Sequence, residues 1–177
     1  MTAVDYIRAE LKRYHAMLDT SLEGISDAQL HAVPGDSPHV NTIAWNLFHV
    51  VRTEDNIVRF ALQDRRSPVW AEGGYAEKLG LPPVAQGTGM TSEDAHALRI
   101  KDLALWKDYQ QKVWASTEEL FDGATPEFWD TVVNVKFVGE MPKWRAVAQI
   151  CLSHGLMHAG QIETARTLAG AKPVIGV

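Results

Sequence analysis

The sequence predicts an all-α fold: a four-helix bundle with crossover connections and a short extended hairpin before the last helix. Three observations lead there. Four segments place apolar residues at helical spacing, two of the connections between them are long, and only residues 131–138 are rich in β-prone side chains.

In the first segment Val4, Ile7, Leu11, Leu18 and Leu22 fall on one stripe, and Thr2 supplies an N-cap. Ser26 and Gln29 stand three apart as a capping box for a short turn ending at Leu30, after which Pro34, Gly35 and Pro38 break the chain. A second helix starts near Asn41 or Thr42 and ends before Pro68. Ile43, Leu47, Val50, Ile57, Val58 and Ala61 form its apolar face. The connection over residues 66–91 carries Gly73, Gly74, Gly80, Pro82, Pro83, Gly87 and Gly89. Loops of that length cross over a fold or shape a site. Thr91 and Ser92, followed by Glu93 and Asp94, open a third helix, with Leu98, Leu105, Tyr109, Val113 and Leu120 on its stripe. Thr125, Pro126 and Glu127 cap a short helix through Trp129. The fourth helix spans residues 144–168 and stops at Gly170, with Pro173 beyond.

A length of 177 residues predicts one domain, 1–177. A net charge of −5, with no run of Lys or Arg longer than two, argues against nucleic acid or anionic membrane as partner. Asp5 and Glu10 interrupt the N-terminal apolar residues, so the start does not read as a signal peptide, and no window has the length of a membrane span. The single cysteine, Cys151, forms no internal disulfide, which fits a cytoplasmic protein.

The chemistry concentrates in the fourth helix. His154 and His158 are four residues apart, so their imidazoles rise from adjacent turns of one face and can reach one metal ion. Trp144, Val147, Ile150, Cys151, Ile162, Ala165 and Leu168 share that stripe, which points both histidines into the bundle. Each neutral ring there buries a polar nitrogen that needs a partner. Gly155 and Gly160 beside them permit close approach of a ligand or simply of another helix. Cys151 lies seven residues from His158, about 10 Å along the axis, too far to join both histidines; it reads as a buried structural residue. A third ligand must come from another helix. His31 and His39 lie in or near turns, and His96 is on the solvent side of its helix. His15 edges the first stripe, and His49 flanks the second beside Trp45, Thr53 and Phe60. Periodicity does not choose between His15 and His49.

The segment 41–55, NTIAWNLFHVVRTED, resembles the second-helix signature of the DinB-like superfamily. His154 and His158, followed by Gly160 and Gln161, resemble its fourth-helix motif, and the stretch from Ile25 through Gln29 to Pro34 is similar to its first connection. The resemblance implies a bundle with a triad of His49, His154 and His158 around a divalent metal, zinc or nickel by the imidazole donor set. It also implies a likeness to bacillithiol S-transferases and mycothiol-dependent maleylpyruvate isomerases. The isomerases carry a carboxylate where this chain has His154, which disfavours their specific activity.

Three protein ligands and an open position mark a catalytic rather than a structural metal. Gln161 and Glu54 are candidates to orient the ligand imidazoles, with pairing to an arginine as the other reading of Glu54. Trp45 and Trp144 are expected beside the site, and Trp70, in the long connection, over it. The first functional reading is a metal-dependent transferase joining a small-molecule thiol to an electrophile. The alternative is a bundle that binds a metal or small ligand without chemistry. A bundle with vestigial histidines is disfavoured by the intact ligands. Family likeness also implies a homodimer, with Glu54 or residues 131–138 as contacts.

Overall fold

The structure, a computed structural model, describes residues 1–136 and 138–174. Phe137 and residues 175–177, parts of the expected hairpin and domain, lie outside the described residues.

Helix α1 (Ala3–Ser21) starts at a full capping box: Thr2 Oγ1 accepts from the Asp5 amide, and Asp5 Oδ2 accepts from the Thr2 amide at 2.7 Å. Ser26 and Gln29 repeat the device for α2 (Asp27–His31). Thr42 caps α3 (Ile43–Asp55), which continues as a π turn over Asn56–Ala61. Two short helices, α4 (Val69–Glu72) and α5 (Tyr75–Leu79), lie in the long connection.

The expected third helix is two. After α6 (Ser92–Ala97) the backbone turns extended at Leu98, and α7 (Leu103–Gly123) begins afresh where the Asp102 carboxylate accepts from the Leu105 amide at 2.9 Å. Thr125 caps α8 (Pro126–Asp130). Strands β1 (Val132–Val135) and β2 (Gly139–Pro142) pair antiparallel, Val132 opposite Pro142, giving the expected hairpin. The last helix is α9 (Lys143–Ala146), a π turn (Val147–Ser153) and α10 (His154–Leu168) in continuous sequence.

Side-chain pairs fix the helix directions. Arg8 meets Glu118 while Gln110 meets Asp19, so α1 and α7 are antiparallel. Tyr14 packs on Gly155 and Arg166 donates to the Ser21 carbonyl, so α1 and α10 are parallel. Phe48 meets Trp106 while Glu54 meets Thr117, so α3 and α7 are parallel neighbours. Parallel neighbours need a connection that returns along the bundle, and the chain between α3 and α7 supplies it.

Trp70 does not cover the site. It is 1% exposed, packed edge-on to Tyr109 at 4.9 Å and beneath the Arg52 guanidinium at 4.7 Å. The cause is Asp55, a buried carboxylate at the end of α3 whose two oxygens accept from the Val69 and Trp70 amides at 2.9 Å each. This caps α4 from a distance and pulls it into the core. Glu54, its neighbour, is 1% exposed and pairs with neither an arginine nor a ligand imidazole: Oε2 meets His15 Nε2 at 2.9 Å and Oε1 accepts from Thr117 Oγ1 at 2.6 Å. That burial also removes it as an interface contact. His15 is thus consumed in the core, stacked on Trp114 with centroids 3.8 Å apart. Of the two helix-4 glycines, Gly155 admits Tyr14 so closely that a Cβ there would lie 2.6 Å from the ring, whereas Gly160 is open. Among the described residues, no helix is long and apolar enough to cross a membrane.

Candidate metal centre

On α3, Trp45, His49, Thr53 and Ile57 recur at four-residue spacing and line one cavity; His154 and His158 face it from α10. The two helices run antiparallel, bringing the middle of one against the start of the other. His49 Nε2 and His158 Nε2 each lie 3.1 Å from His154 Nε2. The three ring nitrogens form one group within 4.8 Å. A tetrahedral ion with bonds near 2.0 to 2.1 Å sets its ligand nitrogens about 3.3 Å apart, so this spacing fits a divalent ion.

The opposite ring nitrogens explain why these atoms converge. His49 Nδ1 faces the Gln86 carbonyl at 2.6 Å, and a carbonyl only accepts, so Nδ1 carries the proton. His158 Nδ1 lies 2.7 Å from Asn46 Oδ1. The Asn46 amide is itself oriented, because its nitrogen donates to the Thr42 carbonyl at 2.9 Å, which leaves the oxygen for His158. Both rings are therefore Nδ1–H tautomers with bare Nε2 lone pairs aimed at one point. His154 is held differently. The π turn diverts its amide to the Gln149 carbonyl, and the Ile150 carbonyl faces Nδ1 without full hydrogen-bond geometry.

Burial keeps the triad neutral. It pushes the His49 and His154 pKa values below the usual imidazole range, and His49 is lowered further by His154. His158 falls to about 4, first from burial and then from the neighbouring His49 and His154 rings. Neutral imidazole is the ligating form. Gln161, exposed on the next turn, makes a side-chain hydrogen bond that partly offsets this depression.

The cavity holds about 770 Å³. Trp45 forms its floor, stacked on His49 with centroids 4.9 Å apart. Residues 86–91 of the long connection form a wall, as its length suggested. Gly87, at φ +94°, presses so close that a Cβ would sit 3.2 Å from His49 Nδ1 and 3.3 Å from the Trp45 ring. Trp144 is not among the lining residues. The π turn between it and His154 inserts one residue, rotating upstream positions by about 100° from an unbroken α-helix. Cys151 points to the core, 3% exposed, and burial pushes its thiol well above the usual range.

Asn46 and Gln86 escaped the sequence reading, which named Thr53 only as a neighbour of His49 and Gly87 only as a glycine of the long connection. Asn46 stood inside the quoted motif, but its partner is 112 residues away. The hydroxyl of Thr53 and the indole nitrogen of Trp45 are buried without a protein partner, and both residues line the cavity. His39 and Lys136 also line it, and among the described residues no carboxylate does. His96 is half-buried rather than solvated, its Nε2 at 2.9 Å from the Val40 carbonyl.

The comparisons agree with this architecture. No functionally curated protein matches the sequence. The crystal structure of a conserved protein from Enterococcus faecalis superposes with a TM-score of 0.80 at 22% identity, covering 96% of this chain and 99% of that one. That likeness is one of fold. The sequence pattern of the DinB superfamily matches residues 10–162, and the chain belongs to that superfamily.

Proposed function

We propose that this protein is a divalent-metal-dependent enzyme, with zinc or nickel held by His49, His154 and His158, and that it transfers a small-molecule thiol to an electrophile. The observation that carries the reading is the convergence of three imidazole Nε2 atoms at the wall of an open cavity of about 770 Å³. Structural metal sites close their coordination with a fourth protein ligand; among the described residues only the three histidines form such a group.

A divalent ion there supplies positive charge that lowers the pKa of a thiol entering the open position. The rest of the chemistry falls to the chain. Gln86 and Asn46 hold the imidazoles in the ligating tautomer. Cys151 is too buried to serve as the sulfur nucleophile, which favours an external thiol. With no carboxylate among the described lining residues, the proton leaves to solvent or to His39. Ile57, Met90, Ala95, Val135, Ile150 and Met157 offer an apolar surface for the electrophile. A cytoplasmic location supplies the reduced thiol this reaction consumes.

The test is elemental analysis of the purified chain followed by thiol conjugation with the reconstituted protein. About one ion per chain is expected, lost in His154→Ala and in His158→Ala but retained in His96→Ala. A metal-loaded protein that accelerates conjugation of no thiol would leave the non-catalytic binding bundle as the better reading. Stoichiometric metal in a His49→Ala, His154→Ala double variant would remove the ligand set altogether.

A further inference from the structure

A second cavity of about 600 Å³ adjoins the first, and the two share Ile57, Gln86, Val135 and Lys136 as lining residues. Their walls differ in kind. Apart from the triad, the metal chamber carries neutral groups with His39 and Lys136. The second chamber adds Asn56, Asp64, Arg65 and Asn134 around the half-exposed Phe60 ring. Among the described residues, Asp64, Arg65 and Lys136 are its charged lining residues. Arg8, Arg59 and Arg66 each meet a carboxylate, whereas the Arg65 guanidinium has no ion pair or hydrogen bond among the described residues. Asp64 and Arg65 are also the two non-glycine residues with positive φ among the described residues, at +46° and +64°. Consecutive left-handed residues are uncommon outside glycine and cluster where the backbone serves a site.

The partition between the chambers is tied to the triad. Asn56 Nδ2 donates to Gln86 Oε1 at 2.5 Å, and the backbone carbonyl of that same Gln86 accepts from His49 Nδ1. Asn56 lies seven residues beyond His49, about 10 Å along the helix axis.

We propose that the second chamber docks the anionic, carboxylate-bearing body of an extended ligand whose other end enters the metal chamber. Arg65 meets the carboxylate, while Asn56 and Asn134 bind its neutral polar atoms. The ligand runs from the triad past Asn56, about 10 Å along the helix axis, to its charge at Arg65. In assigning the reactive end to sulfur, this rests on the thiol reading above.

The test uses the full chain loaded with cobalt and three probes. Glutathione is an extended thiol with carboxylates, 2-mercaptoethanol is a short thiol without charge, and S-methylglutathione has the carboxylates but no free thiol. Glutathione is expected to perturb the cobalt bands at a concentration about three- to fivefold lower than 2-mercaptoethanol, the worth of one exposed arginine–carboxylate contact. Arg65→Gln and, separately, Asn134→Asp should erase that advantage and leave the response to 2-mercaptoethanol unchanged; both side chains are exposed, so the fold survives. S-methylglutathione should bind calorimetrically to the native chain and more weakly to Arg65→Gln. Equal potency of the two thiols, or an advantage that survives both substitutions, overturns the second chamber. If neither thiol moves the cobalt bands while S-methylglutathione still binds through Arg65, the thiol reading falls and the chamber stands. If no probe binds, both fall.

Discussion

Asn46→Ala separates the orientation of a ligand from the ligand itself. Asn46 is fully buried on α3, and its oxygen lies 2.7 Å from His158 Nδ1 while its nitrogen donates to the Thr42 carbonyl. Without it, the His158 ring is free to carry its proton on either nitrogen and to rotate. Metal binding must then select the Nδ1–H form and leave that N–H unpaired. Loss of such a partner weakens metal affinity 10- to 100-fold, about 1.4 to 2.7 kcal/mol. That range matches the roughly 1 to 3 kcal/mol of one buried unpaired donor.

The assay is competition with a chromophoric chelator, run beside thermal melts of the metal-free protein. Asn46→Asp is the informative partner. It keeps an acceptor for His158 but sets a second acceptor against the Thr42 carbonyl, so it should lose stability while retaining metal affinity. A folded Asn46→Ala protein that binds metal within twofold of the native chain would refute the tautomer argument, even with the triad intact.

Four further outcomes are expected. Gly87→Ala places a side chain at φ +94° and 3.2 Å from His49, so the loop must back away and metal affinity should fall in the same chelator competition, by more than for Gly89→Ala, where no atom lies within 4 Å. Glu54→Ala leaves the buried His15 ring nitrogen and Thr117 hydroxyl without their partner and should cost about 1 to 3 kcal/mol in urea unfolding without abolishing metal binding; a cost under about 0.5 kcal/mol would mean the pair is not formed. Metal-free protein should lose stability as pH falls from about 6.5 to about 4, because the unfolded chain protonates His158 first while the folded site keeps it neutral. The contribution is complete above the upper limit, and His158→Gln should flatten that part of the pH profile of the melting midpoint. Light scattering should give twice the chain mass, and the chain mass at every concentration would rule the homodimer out.

Much of the fold was legible because it is locally encoded. Thr2 with Asp5, Ser26 with Gln29, and the Thr42 and Thr125 caps each bond three residues along the chain, where sequence spacing speaks directly. The break between α6 and α7 had a local signal too. Asp102 three residues before Leu105 is an N-cap, but the apolar stripe from Leu98 to Leu105 ran across it and hid the extended backbone between them. Long-range choices were not legible. Glu54 stood out as a charge on an apolar face, yet only the arrival of α1 and α7 shows that it faces His15 and Thr117 rather than an arginine. Trp70 went to the core because Asp55, fifteen residues earlier, holds its amide. For the candidate site, the pair on the fourth helix followed from spacing. The preference for His49 over His15 came from resemblance, and the structure places His15 in the buried pair with Glu54, away from the other histidines.

The two π turns account for what spacing alone misplaced. Residues four apart on an α-helix drift about 40° per step, so Trp45, His49, Thr53 and Ile57 would wind away from a cavity that all four in fact line. The π turn that begins at Asn56 lengthens the turn by one residue and reverses that drift, bringing Ile57 back. On the last helix the π turn ending at Ser153 does the converse. It sends Val147 and Cys151 to the core, leaves Ile150 and His154 on the cavity, and turns Trp144 off it. The two turns pack against each other. Each gives up regular α-helical bonding where the other is present, at the position along the bundle where side chains from both helices must face the same space. A residue deleted from either turn, restoring an unbroken α-helix, should therefore rotate one wall of the cavity without melting the bundle. Deletion of Ala148 is the sharper case, since it lies upstream of both histidines and the metal site can remain while the Ile150 wall moves. Retained metal binding with altered thiol response is the expected result. Unchanged thiol response in a folded deletion variant would mean that the π turn shapes nothing the ligand meets.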